Sequence, residues 1–253
     1  MIAVTTRDLR TLRLPWSALA LNKAHEFWIK GTGRRIKGQG MIGADARTVA
    51  DGFDALRGDD FHEYNLPQAW VERRQIPLAI RGRIPAHGAT VLDLGCGPGT
   101  STEVLAYFAD PSWTIIGYDL IDHSIAVARA RAERSEFRNR TGAVIRPVFE
   151  CQSIARPLLR AGLPIASASV DFAVSGGVVG LYLQPTDAAQ LLDDLSRIVR
   201  PGGYIALDAG PSVPVATLRA LGHNRGFVFH SLAKSFWIEP RPKLVFQRLG
   251  SST

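Results

Sequence analysis

Cysteine is scarce in this chain, which has 253 residues and two cysteines, Cys96 and Cys151. Two cysteines provide neither a disulfide framework nor the spacing of metal ligands, and the six histidines form no HExxH pattern and no cluster. We therefore expect no metal site, and we interpret both cysteines as small packing residues rather than nucleophiles. This cysteine usage fits a reducing, cytoplasmic compartment.

Long apolar runs are missing as well. None reaches the roughly 18–20 residues that a membrane span requires. The apolar patch near the N-terminus is broken by Arg13 and Pro15, so we expect neither a signal peptide nor membrane association. The composition, with 46% hydrophobic and 21% charged residues, is that of an ordinary soluble enzyme.

The net charge of +7 suits an anionic partner, either a nucleic acid or an acidic small molecule. It does not choose between them, because many of the arginines fall on predicted helix faces, where a solvated surface is the default interpretation. These are Arg129, Arg131, Arg134, Arg138 and Arg140.

A glycine-rich turn follows a short apolar strand in the run 91–100, VLDLGCGPGT. Glycine has no Cβ, so Gly95, Gly97 and Gly99 allow the backbone to turn sharply and to lie against a bound ligand. Their spacing disfavours two common ligand-binding loops. The third glycine of a dinucleotide fingerprint comes one residue later, and the Gly-Lys-Ser/Thr of a Walker A loop is absent.

Strands and helices alternate after this turn, which predicts a mainly parallel sheet. The predicted strands are 113–119, a run that ends at 150–153, 169–177, 204–208, 226–237 and 243–248. The predicted helices run from Ile121 to about Arg138 and from Pro185 to Arg200.

This succession resembles the class I S-adenosylmethionine (SAM) dependent methyltransferases of the small-molecule type. The matching landmarks include Asp93 before the first glycine and the Arg-Pro-Gly-Gly step at 200–203, and the resemblance covers about residues 67–253. It implies an α/β fold with a doubly wound, seven-stranded, mostly parallel sheet and an antiparallel C-terminal hairpin. It also implies SAM as the cofactor and methyl transfer as the activity.

Residues 1–66 do not follow the alternation and are predicted to form an N-terminal helical lid before a methyltransferase domain at 67–253. Helices are expected over 16–30 and 44–56, with a basic, glycine-rich stretch at 31–40 between them. Such a segment resembles the lid that many small-molecule methyltransferases fold over cofactor and acceptor. An amphipathic segment at 67–83 leads into the first strand, with a kink or break expected at Pro77.

The resemblance assigns cofactor binding to the residues at matching positions: Tyr64, Asp93, Gly95, Cys96, Gly97, Gly99, Asp119, Leu120, Gln152, Ser153, Ser175 and Gly176. Asp119 would hold the ribose hydroxyls, as its interval from the turn also indicates. Alternatively, Asp119 or Asp122 caps the following helix. Asp93 would orient the turn or reach the amino group of SAM through water.

The remaining cofactor contacts follow the third and fourth strands. Gln152 is the candidate for adenine, since the family's frequent Asp is absent at this point. Backbone carbonyls at Ser175 and Gly176 would meet the methionine ammonium. Tyr64 would touch the cofactor carboxylate, with a packing role as the alternative.

The acceptor side is described by the loop 175–183, SGGVVGLYL. It lacks the Asp/Asn-Pro-Pro-Tyr/Phe of DNA and some protein amino-methyltransferases, which argues against adenine-N6 or cytosine-N4 as the acceptor. The loop resembles that of small-molecule O-, N- or C-methyltransferases, and its apolar character suggests an acceptor with a hydrophobic body. Nucleic acid is therefore not the expected partner.

Methyl transfer from a sulfonium is an in-line displacement that demands mainly positioning and desolvation, so it leaves little catalytic signature in a sequence. If the acceptor is a hydroxyl or a carbon acid, a general base helps, and His25, His62 and His230 are the candidates. For each of them a surface or packing role is the commoner outcome. A carboxylate or neutral amine acceptor requires no base.

Other functions stay open at this stage. An RNA methyltransferase would contact phosphates through Lys30, Arg34, Arg35 and Lys37. A SAM-binding protein could also be non-catalytic or perform other chemistry on the same fold. A nicotinamide oxidoreductase comes last, because of the glycine spacing.

Overall fold

A computed structural model describes residues 1–12, 17, 20, 46–54, 59–234 and 242–250. Its helices are α1 (Thr6–Thr11), α2 (Ala46–Asp54), α3 (Asp59–Ile80), α4 (Thr100–Phe108), α5 (Asp122–Glu133), α6 (Val179–Tyr182), α7 (Pro185–Ile198) and α8 (Val215–His223). Its strands are β1 (Thr90–Leu94), β2 (Thr114–Asp119), β3 (Val148–Cys151), β4 (Leu159–Arg160), β5 (Leu163–Pro164), β6 (Val170–Ser175), β7 (Val199–Asp208), β8 (Phe227–Ala233) and β9 (Lys243–Arg248). None of the described helices combines the length and the apolar character that a membrane crossing needs.

Seven strands form one sheet in the order β3-β2-β1-β6-β7-β9-β8, while β4 and β5 pair separately. The first five strands in this order, β3, β2, β1, β6 and β7, are each parallel to their neighbours. Strand β9 runs antiparallel to both β7 and β8. The α/β class, the mostly parallel seven-stranded sheet and the antiparallel C-terminal pair are thereby confirmed. The last strand inserts between β7 and β8 rather than adding to the edge.

The side chains of successive residues in the central strands lie on opposite faces of the sheet. Val91 packs in a hydrophobic cluster with residues of α3, α4 and α5, whereas Leu92 and Leu94 pack in a second cluster with residues of α7 and α8. This is the period of two that a strand imposes on its side chains. Both faces are covered by helices, which is why these strands are apolar on both sides.

Helix α5 ends at Glu133, earlier than the expected Arg138. Ser135 adopts a left-handed conformation with φ of 57°, and Phe137 beyond it is fully buried. Arg138 then forms an isolated antiparallel bridge with Val144. The Ala- and Arg-rich sequence of α5 gives no sign of this helix end, because Ser135 is not a residue that usually marks one.

Helix α3 continues through Pro77 and ends at Ile80, so the chain does not break at this proline. A proline lacks only its own N–H donor, and Pro77 lies in the last turn of the helix. Arg83 supports that turn, since its Nη1 donates to the carbonyls of Leu78 and Ala79 at 2.9 Å each. Beyond the helix, Gly82 adopts a positive φ of 68°.

The first twelve residues pack on the core. Ile2 donates its N–H to the carbonyl of Ile84 and accepts from Gly82, and Val4 and Leu12 join the cluster under α3. The predicted helix over 16–30 and the basic stretch 31–40 lie outside the described residues, apart from helical backbone at 17 and 20, whereas α2 falls within the predicted 44–56. The boundary at residue 66 falls inside α3, and the division into lid and domain stays a prediction.

Candidate cofactor site

The glycine turn lies where the strand order reverses, with β2 on one side of β1 and β6 on the other. In open α/β sheets this reversal leaves a crevice at the carboxyl ends of the strands, where ligands bind. The N–H groups of Gly95 and Cys96 both donate to the carbonyl of Tyr118, at 2.7 and 2.9 Å. Gly95 has φ of 79°, and a Cβ there would overlap the side chain of Val178, so the turn requires glycine at this position.

Asp119 ties the turn to the start of α5. Its Oδ2 accepts from the N–H of Gly97 at 2.8 Å, and its Oδ1 accepts from the N–H of Ile121 at 2.9 Å. Burial raises the pKa of this carboxyl, and the backbone N–H groups act in the opposite direction. A carboxylate offers about four acceptor positions, so Asp119 can both order the loops and accept from a ligand.

Asp93 is fully buried beneath the turn and holds the start of α4. Its Oδ2 accepts from the hydroxyls of Ser101 at 2.7 Å and Thr102 at 2.5 Å. Its Oδ1 has no hydrogen-bond partner within the described part of the chain. Burial raises the pKa of Asp93 to about 6. Asp93 thus orients the start of α4, and its two predicted roles toward the turn and the cofactor stay predictions.

Arg131 hydrogen-bonds to the glycine turn at Pro98, a contact that the sequence does not predict. Its Nη1 donates to the carbonyl of Pro98 at 3.0 Å, its Nη2 pairs with Glu103 at 2.8 Å, and its guanidinium lies 4.9 Å from the ring centre of Phe137. The expectation of a solvated arginine is wrong here, because only 18% of this side chain is exposed. A long side chain on the inner side of α5 can reach a backbone carbonyl that the sequence does not place nearby.

Gln152 lies at the end of β3, beside Asp119. Its N–H donates to the carbonyl of Asp119 at 2.9 Å, and its Oε1 accepts from Leu159 at 3.3 Å. Its Nε2 is buried and has no partner among the described residues. Ser153 accepts from the N–H of Ala155, while Leu120 is 37% exposed.

Cys96 and Cys151 differ in their surroundings. Cys96 is buried in the turn, against Gly117, and burial raises the pKa of its thiol. Cys151 is exposed at the end of β3, and its Sγ lies 3.8 Å from the carbonyl of Leu120. The placement of Cys96 agrees with the predicted packing role.

The end of β6 is held by two charged residues that the sequence analysis missed, Asp208 and Lys243. Asp208 accepts from the Ser175 hydroxyl at 2.8 Å and from the N–H of Gly180 at 2.9 Å. Lys243 is fully buried, and its Nζ donates to the carbonyl of Ser175 at 2.6 Å. One signal is present in the sequence, a lysine directly before the apolar run 244–246.

Helix α3 contributes a third missed residue, Glu72, to the same place. Glu72 is 3% exposed, and Gln68 donates to its Oε1 at 3.2 Å. Burial, together with the neighbouring Asp93 and Asp208, raises the pKa of this carboxyl to about 8. Gly176 lies against Glu72 so closely that a Cβ on Gly176 would overlap the carboxylate oxygen.

A small cavity of about 10 Å³ adjoins this region, lined by Gln68, Val71, Gln75, Gly177 and Asp208. This is about the space of one water molecule, and three of the five lining residues have polar side chains. The apolar residues Val179 and Leu181 of the following loop pack in the core. The hydrophobic pattern of that loop therefore reports core packing, and the hydrophobic acceptor inferred from it stays a prediction.

Of the three histidine candidates, His230 is the one whose side chain the structure describes, and it lies away from the turn. His230 lies exposed on β8, with its Nδ1 3.3 Å from Nη2 of Arg83 and its ring against Tyr204. Burial and Arg83 lower its pKa. Four strand spacings, about 19 Å, separate β8 from β1. The structure thus does not bring His230 to Asp119.

The other predicted residues fall outside what the structure describes. His25 lies in the segment 21–45, which is not described. His62 and Tyr64 belong to the backbone of α3, but their side chains are not among those described. Their roles stay predictions. Within the described residues, no group of three or more His, Cys, Asp or Glu side chains could hold a metal ion.

Residues 92–207 match the family model described as a methyltransferase domain. An arsenite methyltransferase of Halobacterium salinarum is 31% identical over 122 residues, which are 48% of this chain and 27% of that protein. A trans-aconitate 2-methyltransferase of Azoarcus sp. is 29% identical over 172 residues, which are 68% of this chain and 59% of that protein. The chain thus spans less than two thirds of the length of these relatives.

A crystal structure of a SAM-dependent methyltransferase from Methanosarcina mazei superposes with a TM-score of 0.52 at 15% identity, covering 66% of this chain and 95% of that one. At this identity the likeness speaks for the fold alone. The family match, the sheet order and the glycine turn at its point of reversal agree with one another. Residues 92–207 thus match a methyltransferase domain, and the sheet has the fold of a SAM-dependent methyltransferase.

Proposed function

We propose that this protein transfers the methyl group of SAM to a small-molecule acceptor by in-line displacement. The observation that carries the proposal is Asp119, whose carboxylate is oriented by two backbone N–H groups at the reversal point of the sheet. This fixed carboxylate beside a glycine turn is suited to accept hydrogen bonds from a ribose diol. SAM, when bound, supplies a methyl group that is already activated by the sulfonium.

The unpartnered polar atoms of the described site support this assignment. Gln152 Nε2 is a buried donor near the ribose end, where a ring nitrogen of adenine would satisfy it. Asp93 Oδ1 is a buried acceptor beneath the turn, where the methionine portion would lie. A buried polar atom without a partner costs about 1–3 kcal/mol, so a ligand that supplies both partners recovers that free energy.

The acceptor is proposed to be a small molecule, methylated at O, N or C. The two relatives named above are an arsenite and a trans-aconitate methyltransferase, and both names denote small acceptors. The loop after β6 has Ser-Gly-Gly where base-modifying enzymes carry Asp/Asn-Pro-Pro-Tyr/Phe. The residues from which an RNA-binding surface was inferred, 30–37, lie outside the described chain, so no structural observation favours RNA.

Calorimetric titration with SAM and S-adenosylhomocysteine tests the proposal, with NAD in parallel. We expect binding by the wild type and a loss of about tenfold to a hundredfold in Asp119→Ala, because hydrogen bonds to a charged group contribute about 1.5–3 kcal/mol. The matched control is Asp122→Ala, which removes the acid that would merely cap α5 and should bind as the wild type does.

Two outcomes would contradict this assignment. A wild type that binds neither sulfur compound excludes the function, and equal losses in the two variants exclude the ribose role of Asp119. Where binding is seen, formation of S-adenosylhomocysteine with a panel of acceptors separates a methyltransferase from a SAM-binding protein without this activity.

A further inference from the structure

Four buried charged residues meet beneath the loop after β6, on four different elements. They are Glu72 of α3, Asp93 of β1, Asp208 of β7 and Lys243 of β9, and each is less than 9% exposed. Three carboxyl groups thus face one ammonium group. If all were ionised, the cluster would be negative, and burial of unbalanced charge is costly.

Three of the four are held by the protein itself. Lys243 donates to the Ser175 carbonyl, Asp208 accepts from the N–H groups at the start of α6, and Asp93 accepts from two hydroxyls of α4. Glu72 differs from them. It accepts a long bond of 3.2 Å from an amide on its own helix and lies directly against the backbone of Gly176.

The family resemblance predicts that backbone carbonyls at Ser175 and Gly176 meet the methionine ammonium, and the Ser175 carbonyl is the first of these. In this chain the carbonyl already accepts from the Lys243 ammonium at 2.6 Å. A second cation beside it would be repelled by the first, since like charges at short range inside a protein repel strongly. The acid directly beside the next residue, Gly176, is Glu72, since a Cβ on Gly176 would overlap its carboxyl oxygen.

Building on the SAM binding proposed above, we propose that Glu72 is the residue that receives the ammonium group of the methionine portion of SAM. The ammonium donates to the Glu72 carboxylate, while Lys243 occupies the Ser175 carbonyl. Glycine at 176 is required because a Cβ would fill the space between the strand end and this carboxylate. Glu72 is thus a binding residue for the cofactor rather than a base for the acceptor.

A proton is displaced by this contact. Burial and the charges of Asp93 and Asp208 raise the pKa of Glu72 to about 8, against the opposing influence of Lys243 and Gln68, so the free protein holds it mainly as a carboxylic acid at pH 7. Among the described residues, Cys96 is a further titratable group near it, and Arg73 on the same helix is paired with Glu103. Arrival of the ammonium favours the carboxylate, and the proton leaves to solvent. Affinity for the cofactor should therefore rise with pH up to about 8.

Two ligands separate this contact from the rest of the site: S-adenosylhomocysteine, which carries the ammonium, and methylthioadenosine, which lacks the whole amino-acid portion. In Glu72→Gln, we expect affinity for S-adenosylhomocysteine to fall at least about tenfold, and affinity for methylthioadenosine to stay within about twofold. Glu133→Gln on the exposed face of α5 is the matched control and should change neither.

The wild type gives a second readout that needs no variant. Titrations at pH 7 in buffers of different ionisation enthalpy should show release of close to one proton on binding S-adenosylhomocysteine and close to none on binding methylthioadenosine. Between pH 6 and 7.5, the Kd of S-adenosylhomocysteine should fall by up to about tenfold per pH unit.

Several results would overturn the inference. One is an unchanged Kd in Glu72→Gln, with or without a lower kcat, and another is an equal loss for both ligands. Absence of proton release by the wild type would also overturn it. These outcomes differ from failure of the proposed function, in which the wild type binds none of the adenosine ligands.

Discussion

The carboxyl group of Glu72 should lower the stability of the free protein at neutral pH, and Glu72→Gln should restore that stability. The folded-state pKa of about 8 lies above the ordinary value of 4.5, so the folded chain binds the proton more tightly than the unfolded chain does. The contribution of Glu72 to the free energy of unfolding is therefore largest below pH 4.5, and it decreases as the pH rises toward 8. At 1.36 kcal/mol per pH unit, the contribution lost between pH 4.5 and pH 7 is about 3 kcal/mol.

Urea unfolding of the wild type and Glu72→Gln at pH 5, 6 and 7 measures this effect. Glutamine has the shape of protonated glutamate, so the two proteins should have similar free energies of unfolding at pH 5. Above pH 5, the unfolding free energy of the variant should exceed that of the wild type by about 1.4 kcal/mol more for each pH unit. Asp93 is present in both proteins, so its own titration near pH 6 largely cancels in the difference. A difference in unfolding free energy that stays constant across this range would show that Glu72 is ionised in the free protein and would refute the reasoning.

Two further substitutions test the supports of the site. Arg131→Ala removes the donor to Pro98 and the pairing with Glu103, so we expect the Kd for S-adenosylhomocysteine to rise about tenfold by calorimetry, whereas Arg134→Ala on the exposed side of the same helix should leave it unchanged. Equal affinities in the two variants would contradict the role of Arg131. Lys243→Met leaves buried carboxyl groups without their cation and should destabilise the protein by about 3–5 kcal/mol in urea unfolding, and an unchanged unfolding midpoint would contradict the role of Lys243 as the counter-charge of this cluster.

The order of the elements could be predicted because it depends on local patterns. Apolar runs of the right length mark β1, β2 and β6, and the glycine turn needs a conformation that Gly95 provides. Asp119 could be found for the same reason, since it ends a strand at a fixed interval from that turn. These signals lie within short stretches of sequence.

Contacts that depend on long-range packing could not be predicted. Lys243 reaches the Ser175 carbonyl only because β9 inserts between β7 and β8, and the sequence does not specify that insertion. Glu72 reaches Gly176 only through the crossing of α3 over the sheet. Ser135 shows the same limit at a helix end, since its left-handed conformation serves the burial of Phe137.

Three of the four charged residues of the cluster lie outside the part of the chain that matches the methyltransferase family model. The family match covers 92–207, whereas Glu72, Asp208 and Lys243 all fall beyond it. Asp119, within the match, is suited to hold the ribose of SAM. In the proposed complex, the flanking helix and the inserted strand would lie instead at the methionine end, beside the methyl group. Changes in these flanking elements can therefore alter the pH dependence and the acceptor of such an enzyme while the sheet and its glycine turn stay the same.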